Sequence, residues 1–79
     1  MRDQFYLQMC SDLSYEGMVI DIRYEDKRIA SVNYDKGVNN MEIEIFQNQD
    51  CFYLLDDFMH ILRDAKELAI KCAKEDGVG

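Results

Sequence analysis

The hydrophobic period of this chain changes once along its length. Between Phe5 and Phe46 apolar residues recur mostly at every second position, whereas between Phe58 and Ala73 they recur every three or four. Side chains alternate between the two faces of a strand, while residues three or four apart share one face of a helix. The change of period therefore predicts a β-sheet followed by one α-helix, an α+β fold.

Four segments in the first part alternate apolar and polar residues, and polar or glycine-containing segments separate them. Short connections of this kind join neighbouring antiparallel strands, so we expect a four-stranded antiparallel β-meander packed against one C-terminal α-helix. The predicted strands are Phe5–Cys10, Met18–Tyr24, Arg28–Tyr34 and Met41–Phe46.

Strand register decides which side chains share a face. A three-residue loop at 25–27 sets Ile22 opposite Ala30 and Ile20 opposite Val32, whereas a two-residue loop sets both isoleucines opposite polar residues. We therefore predict the three-residue loop, with its last residue in the left-handed conformation. The same reasoning applies to the neighbouring hairpins. It sets Phe5, Leu7 and Met9 opposite Ile22, Ile20 and Met18, and Tyr34, Val32 and Ala30 opposite Met41, Ile43 and Ile45.

The helix is predicted to begin near Asp56, which is a good N-cap residue, and to stop at Gly77. Its apolar stripe is expected to cover the inner face of the sheet, with Phe52, Leu54 and Leu55 closing one end of the core. The stripe consists of Phe58, Ile61, Leu62, Ala65, Leu68, Ala69 and Cys72.

The other face of the sheet is predicted to be open, because no segment of the sequence remains to cover it. An antiparallel sheet often exposes one face to water, which is the simpler interpretation. The alternative is a recognition patch, since aromatic and arginine side chains are common where proteins bind one another. The predicted partner-binding residues on this face are Tyr6, Asp21, Arg23, Ile29, Glu42, Glu44 and Phe46.

Composition restricts the kinds of partner. The chain has 79 residues, enough for a single domain spanning residues 1–79, and its formal net charge is −7. Phosphates of nucleic acids and anionic membranes repel such a surface, so we expect neither as a partner. A basic protein is compatible with the charge, although solubility alone also explains it. The N-terminus lacks the apolar run of an export signal, so we expect a cytoplasmic protein.

Catalytic and metal-binding patterns are weak. His60 has Asp56 and Asp64 one helical turn away on either side, but one helix supplies too few converging ligands for a structural zinc site. The three cysteines are widely spaced without a C-x-x-C motif, which predicts reduced thiols. We therefore expect no enzyme activity, no cofactor and no metal.

The segments 12–19, 28–30, 41–45 and 55–58, with sequences DLSYEGMV, RIA, MEIEI and LDDF, resemble small uncharacterised bacterial proteins, some of which are similar to immunity-type proteins. Immunity proteins neutralise a partner toxin by binding it. The resemblance rests on core and turn positions, so it assigns no functional residue.

Two functions are expected from these features. The first is a non-catalytic acidic protein that inhibits a protein partner by covering its surface, with the acids of the open face steering the partner and Tyr6, Ile29 and Phe46 anchoring it. The second is a small homodimeric structural or adaptor protein that uses the open face or an edge strand.

Overall fold

The computed structural model describes residues 4–46 and 52–77. In these residues one antiparallel sheet has the strand order β1-β2-β3-β4, and one long helix follows it. This confirms the predicted α+β meander. The elements are β1 (Phe5–Ser11), β2 (Met18–Tyr24), β3 (Lys27–Asn33), a 3₁₀ turn (Val38–Asn40), β4 (Glu42–Ile45) and α1 (Leu55–Glu75).

On the face of the sheet that it covers, the helix is displaced toward β1 and β2 rather than centred on the four strands. It packs mainly on β2 and β1, and less on β3. Ala65 and Ala69 are fully buried, and side chains this small let the helix approach the sheet closely. Ile20 and Ile22 of β2 are fully buried beneath it. The buried helix residues are Ile61, Ala65, Ala69, Cys72 and Ala73, and Phe58, Leu62 and Leu68 are partly buried, which confirms the predicted stripe.

The helix begins at Leu55, two residues earlier than a cap at Asp56 requires. Leu54 occupies the N-cap position without a side-chain hydrogen bond, and Asp56 and Asp57 lie in the first turn. Carboxylates in a first turn still interact favourably with the helix dipole. Gly77 follows the helix with a φ of 78°, the left-handed conformation that commonly ends helices.

The β2–β3 hairpin differs from the prediction at its turn. Tyr24 pairs with Lys27 across a two-residue turn, and the left-handed residue is Glu25, with a φ of 55°. A register shift beside Arg23 then restores the predicted pairing of Ile22 with Ala30. The three-residue loop was wrong because a β-bulge supplies the extra residue instead, within the strand rather than in the turn.

The β1–β2 register is also displaced from the prediction, by two residues. Leu7 pairs with Ile22 and Met9 with Ile20, because β1 continues to Ser11 and the loop is correspondingly shorter. A shift of two leaves each side chain on its predicted face. In the β3–β4 hairpin, the predicted pairing of Val32 with Ile43 is confirmed.

Aromatic rings close one end of the core. Phe5 and Tyr24 are in edge-to-face contact with ring centroids 4.7 Å apart, and Tyr53 and Phe58 stack beside them. Such pairs add roughly 0.5–1.5 kcal/mol beyond the area they bury. Tyr53 thus takes the position expected for Phe52, Leu54 and Leu55, all of which are exposed.

Tyr34 ties the end of the helix to the sheet. Its ring is buried, its hydroxyl donates to Asp76 Oδ2 at 2.5 Å, and it accepts a hydrogen bond from the Met18 amide at 3.0 Å. Gly17 lies against the ring, where an added Cβ would come within 2.5 Å of a ring carbon. This close approach requires glycine at position 17.

Candidate functional site

The face of the sheet opposite the helix is partly covered, contrary to expectation. Val19 of β2 is fully buried, and Ser31 and Asn33 of β3 are also buried. The loop between β1 and β2 extends to this face, since Tyr15 and Asn33 line one shallow depression together with residues of β4. The part of the predicted open face that stays exposed is therefore the outer side of β4, meaning the side that faces away from the helix, together with the ends of the neighbouring strands.

Tyr15 connects the covering loop to β4. Its hydroxyl lies 3.5 Å from Glu44 Oε1, a long hydrogen bond, and partial burial, followed by the charge of this carboxylate, raises the pKa of the phenol. An Asx turn shapes the loop, with the Ser14 amide donating to Asp12 Oδ1 at 2.8 Å. The Asp35 carboxylate accepts from the amides of Glu16 and Gly17 at 3.2 Å, which fixes the other end of the loop.

Asp21 is a buried carboxylate rather than a surface charge. It is 4% exposed, and Arg28 Nε lies 3.0 Å from its Oδ1. Cys10 donates its thiol proton to Oδ2 at 3.3 Å, and burial together with this carboxylate raises the pKa of the thiol. The Arg28 contact is an ion pair by distance but not by hydrogen-bond geometry. Within residues 4–46 and 52–77, Oδ1 therefore has no hydrogen-bond partner.

Ile29 also lies inside the molecule. It is 6% exposed and belongs to the buried apolar cluster of the core, because the β-bulge interrupts the strict alternation of β3. Phe46 is half-buried, with the Arg28 guanidinium 4.3 Å from its ring centroid, a cation–π contact. Neither Asp21 nor Ile29 is accessible to a partner in this conformation, whereas Phe46 is partly accessible.

Tyr6 and Arg23 form a polar pair on neighbouring strands. Arg23 Nε donates to the Tyr6 hydroxyl at 3.1 Å, and its Nη2 donates to the Asp26 carbonyl at the same distance. Tyr6 is exposed, so this end of the sheet offers a phenol ring and a cation to solvent.

The inner side of β4 is the feature that sequence periodicity did not reveal. Ile43 and Ile45 face the helix side, as predicted, but are 43% and 56% exposed because the helix lies over the other strands. Between β4 and the helix runs a shallow groove of about 310 Å³. Val32, Val38, Met41, Ile43 and Leu62 form its apolar lining, and Asn39, Glu42 and Lys66 are its polar members.

The exposed apolar surface continues along the helix. Met59 lies one turn before Leu62, and Leu55 one turn before Met59, so the three share a side of the helix. Leu55 and Met59 are both exposed. The apolar strip on the helix therefore reaches the groove at Leu62, and that on β4 reaches it at Ile43. The regular alternation of β4 predicted which of its residues face the helix side. It did not predict that the helix leaves those residues uncovered.

The outer side of β4 is acidic. Glu42 and Glu44 are exposed, and Lys36 Nζ lies 2.8 Å from Glu42 Oε2. This contact raises the pKa of the Lys36 ammonium. Of the seven predicted partner-binding residues, Tyr6, Arg23, Glu42, Glu44 and Phe46 are at least partly exposed.

Potential metal ligands are dispersed in the part of the chain that the structure describes. No group of three or more potential ligands occurs there. His60 is exposed and its Nδ1 lies 3.2 Å from the Asp56 carbonyl oxygen. Cys10 and Cys72 are free thiols, and burial is the first cause that raises the pKa of each. Such thiols are poor nucleophiles. The predicted thiol at Cys51 lies outside the described residues.

A search of the described helices for a membrane-spanning segment finds none of sufficient length and apolarity. The sequence matches no protein-family model, and its comparison with curated proteins and with solved structures gives no significant match.

Proposed function

We propose that this chain is a non-catalytic, acidic, cytoplasmic binding protein that inhibits or neutralises a basic protein partner by covering its surface, in the manner of immunity proteins. The observation that carries the proposal is the two-sided character of β4. Its outer side presents two exposed glutamates, and its inner side presents two isoleucines that the helix leaves uncovered. Exposed apolar side chains next to charged ones are typical of protein interfaces.

The binding surface proposed here differs from the one expected from the sequence. Glu42 and Glu44 remain the steering charges, and Phe46 and Tyr6 remain accessible. Ile43 and Ile45 replace the buried Ile29 as apolar anchors, and Asp21 is removed from the set because it is enclosed.

Charge reversal tests the proposal. The Glu42→Lys/Glu44→Lys variant and the wild-type protein are used to capture proteins from a lysate of the source cells. A captured protein is then assayed for loss of its own activity as the chain is added in stoichiometric amounts. We expect the wild-type chain to inhibit a basic protein and the variant to bind it at least about tenfold more weakly, the loss of roughly 1.4 kcal/mol.

A matched control separates local from overall charge. Asp64 and Glu67 are exposed on the helix, so Asp64→Lys/Glu67→Lys changes the net charge equally without touching β4. This control should bind nearly as well as the wild type, and raising the salt should slow association in both. Equal binding by all three proteins, or a captured partner that stays fully active, would contradict the proposal.

A homodimer is the second candidate, favoured by the exposure of Ile43, Ile45 and Met59. Sedimentation equilibrium decides between the two. A dimer at micromolar concentration supports the structural role, and a monomer at the highest soluble concentration excludes it.

A further inference from the structure

We propose that β4 binds an extended segment of a basic protein, which joins the sheet as a fifth strand. This inference rests on the proposed function, because it specifies how the partner is held. β4 ends the sheet, and in the described part of the chain no strand lies on its outer edge. An edge strand carries unpaired N–H and C=O groups that a second chain can pair with.

The hydrogen bonds of the β3–β4 ladder show which backbone groups are free. The Phe46 amide donates to the Ile29 carbonyl at 2.9 Å, so the backbone groups of Phe46 are directed toward β3. In an antiparallel strand alternate residues bond to the same neighbour. The backbone N–H and C=O groups of Glu44 are therefore directed toward β3 as well, whereas those of Ile43 and Ile45 are directed toward the edge of the sheet.

The side chains of β4 select the sequence of the added strand. On the helix side, residues opposite Ile43 and Ile45 would lie beside these two exposed isoleucines, at the open side of the groove that Ile43 lines, which requires apolar side chains. On the outer side, residues next to Glu42 and Glu44 meet exposed carboxylates, which requires lysine or arginine. Because strand side chains alternate, the occupant is an extended segment of alternating apolar and basic residues.

A second copy of this chain fits the same edge poorly. If two β4 strands pair antiparallel with both helices on one side, centring the pair on Ile43 sets Glu42 opposite Glu44. Centring it on Glu44 sets that glutamate opposite its copy. Like charges directly opposite are destabilising, and each copy also carries a net charge of −7. The charges of this edge therefore complement a basic partner rather than a copy.

The probe is a synthetic peptide of alternating lysine and valine, long enough to cover β4, titrated into the intact ¹⁵N-labelled protein. We expect saturable binding, slower hydrogen exchange at the amides of Ile43 and Ile45, and unchanged exchange at Glu44. A peptide of the same composition with the alternation scrambled serves as the control. Equal binding of both peptides would show general charge attraction and overturn strand addition.

Two N-methylated peptides test the backbone directly. One carries N-methyl groups on its valines and the other on its lysines. Only the amides on one edge of the added strand face β4, so only one series should lose binding, by about tenfold for two lost hydrogen bonds. Loss in the valine series indicates antiparallel addition, because residues directly opposite then share their bonds. Equal effects in both series would overturn the proposal.

A variant of the protein gives the reciprocal test. Ile45→Pro removes a donor on the free edge without removing a β3 bond, and proline is tolerated where the amide of an edge strand faces solvent. Ile45→Ala removes the side chain but keeps the donor. We expect Ile45→Pro to bind the lysine–valine peptide about tenfold more weakly than Ile45→Ala. Equal binding would argue against strand addition, and the N-methylated peptides decide the matter if Ile45→Pro fails to fold.

These results separate the two proposals. If the charge-reversed variant loses the natural partner but neither the peptide nor the Ile45→Pro test shows edge pairing, surface occlusion stands and strand addition is wrong. If the peptide binds at the edge while no natural partner is inhibited, the edge site stands and the inhibitory function is wrong.

Discussion

At the scale of single residues, Asp21 and Arg28 form an ion pair whose two members differ in their exposure to water. The Asp21 side chain is 6% exposed and the Arg28 side chain 39%, so only the arginine retains contact with water. Taking away the cation leaves a carboxylate uncompensated inside the sheet, whereas taking away the carboxylate leaves a guanidinium that water can solvate. The two partners of one ion pair should therefore differ in what their removal costs.

Replacing Arg28 tests this inequality. We expect Arg28→Ala to lower the free energy of unfolding by about 1–3 kcal/mol, the cost of an unsatisfied buried group, and Asp21→Asn to lower it less. Urea unfolding measures both. The double variant should be more stable than Arg28→Ala, because it removes the stranded charge. Phe46→Leu controls for the lost ring contact, and a double variant less stable than Arg28→Ala would contradict this account.

Tyr34 couples stability to alkaline pH. Burial, followed by its hydrogen bond to Asp76, raises the pKa of Tyr34 to about 12 from an ordinary value of 10. The folded state thus keeps its proton where the unfolded chain has lost it. Stability from this group is complete below pH 10 and is lost as the pH rises toward 12, by about 2–3 kcal/mol in total.

The Tyr34→Phe variant isolates that titration. It should be less stable than the wild type at pH 8, because the Met18 amide and Asp76 lose their partner. Between pH 10 and 12 its stability should fall less steeply, so the two curves converge. Urea unfolding under reducing conditions at several pH values measures the difference. Parallel curves would show that Tyr34 does not carry the pH dependence.

At the scale of elements, the β2–β3 hairpin shows how a turn and a register are set separately. The apolar pattern correctly predicts that Ile22 pairs with Ala30, because burial of both residues depends on it. The turn length is decided by backbone energies that the pattern does not contain. A short turn with a bulge and a longer turn without one give the same inner face, so sequence periodicity cannot distinguish them.

Glu25 is the residue on which this turn depends. Left-handed backbone costs most residues roughly 1–2 kcal/mol, and asparagine adopts it more readily. We expect Glu25→Asn to stabilise the protein by about 0.5–1 kcal/mol in urea unfolding. Asp26→Asn is the matched control, since position 26 does not have a positive φ. Equal effects of the two variants would mean that backbone strain at Glu25 is not the cause.

At the scale of the whole molecule, the sequence predicts the order and the faces of the elements better than it predicts which surfaces the helix and the loops cover. Alternation and the helical stripe assign each apolar residue to a face, and these assignments hold for Ile20, Val32 and Ile61. They do not say how far a single helix extends across four strands, nor that the β1–β2 loop reaches β4 through Tyr15. The surface that the sequence predicted as open was therefore partly closed, and the inner side of β4 was left exposed instead.

The glutamates of β4 have a second consequence for the whole molecule, because they protect an exposed edge. Edge strands with charged side chains resist pairing with copies of themselves. Without Glu42 and Glu44, β4 would be apolar on its inner side and uncharged on its outer side, with the backbone groups of Ile43 and Ile45 directed away from β3. We therefore expect Glu42→Thr/Glu44→Thr to dimerise, since threonine is well accommodated in strands and removes the like-charge contacts.

Sedimentation equilibrium over a wide concentration range measures this change. The wild type should remain monomeric, and the threonine variant should associate at least about tenfold more tightly, as expected from removing like-charge pairs that oppose pairing by up to roughly 1 kcal/mol each. Glu42→Lys/Glu44→Lys restores like charges of the opposite sign and should be monomeric again. Equal association of the wild type and both variants would show that charge does not prevent self-association at this edge. That result would favour the homodimeric role over the role of binding a basic partner.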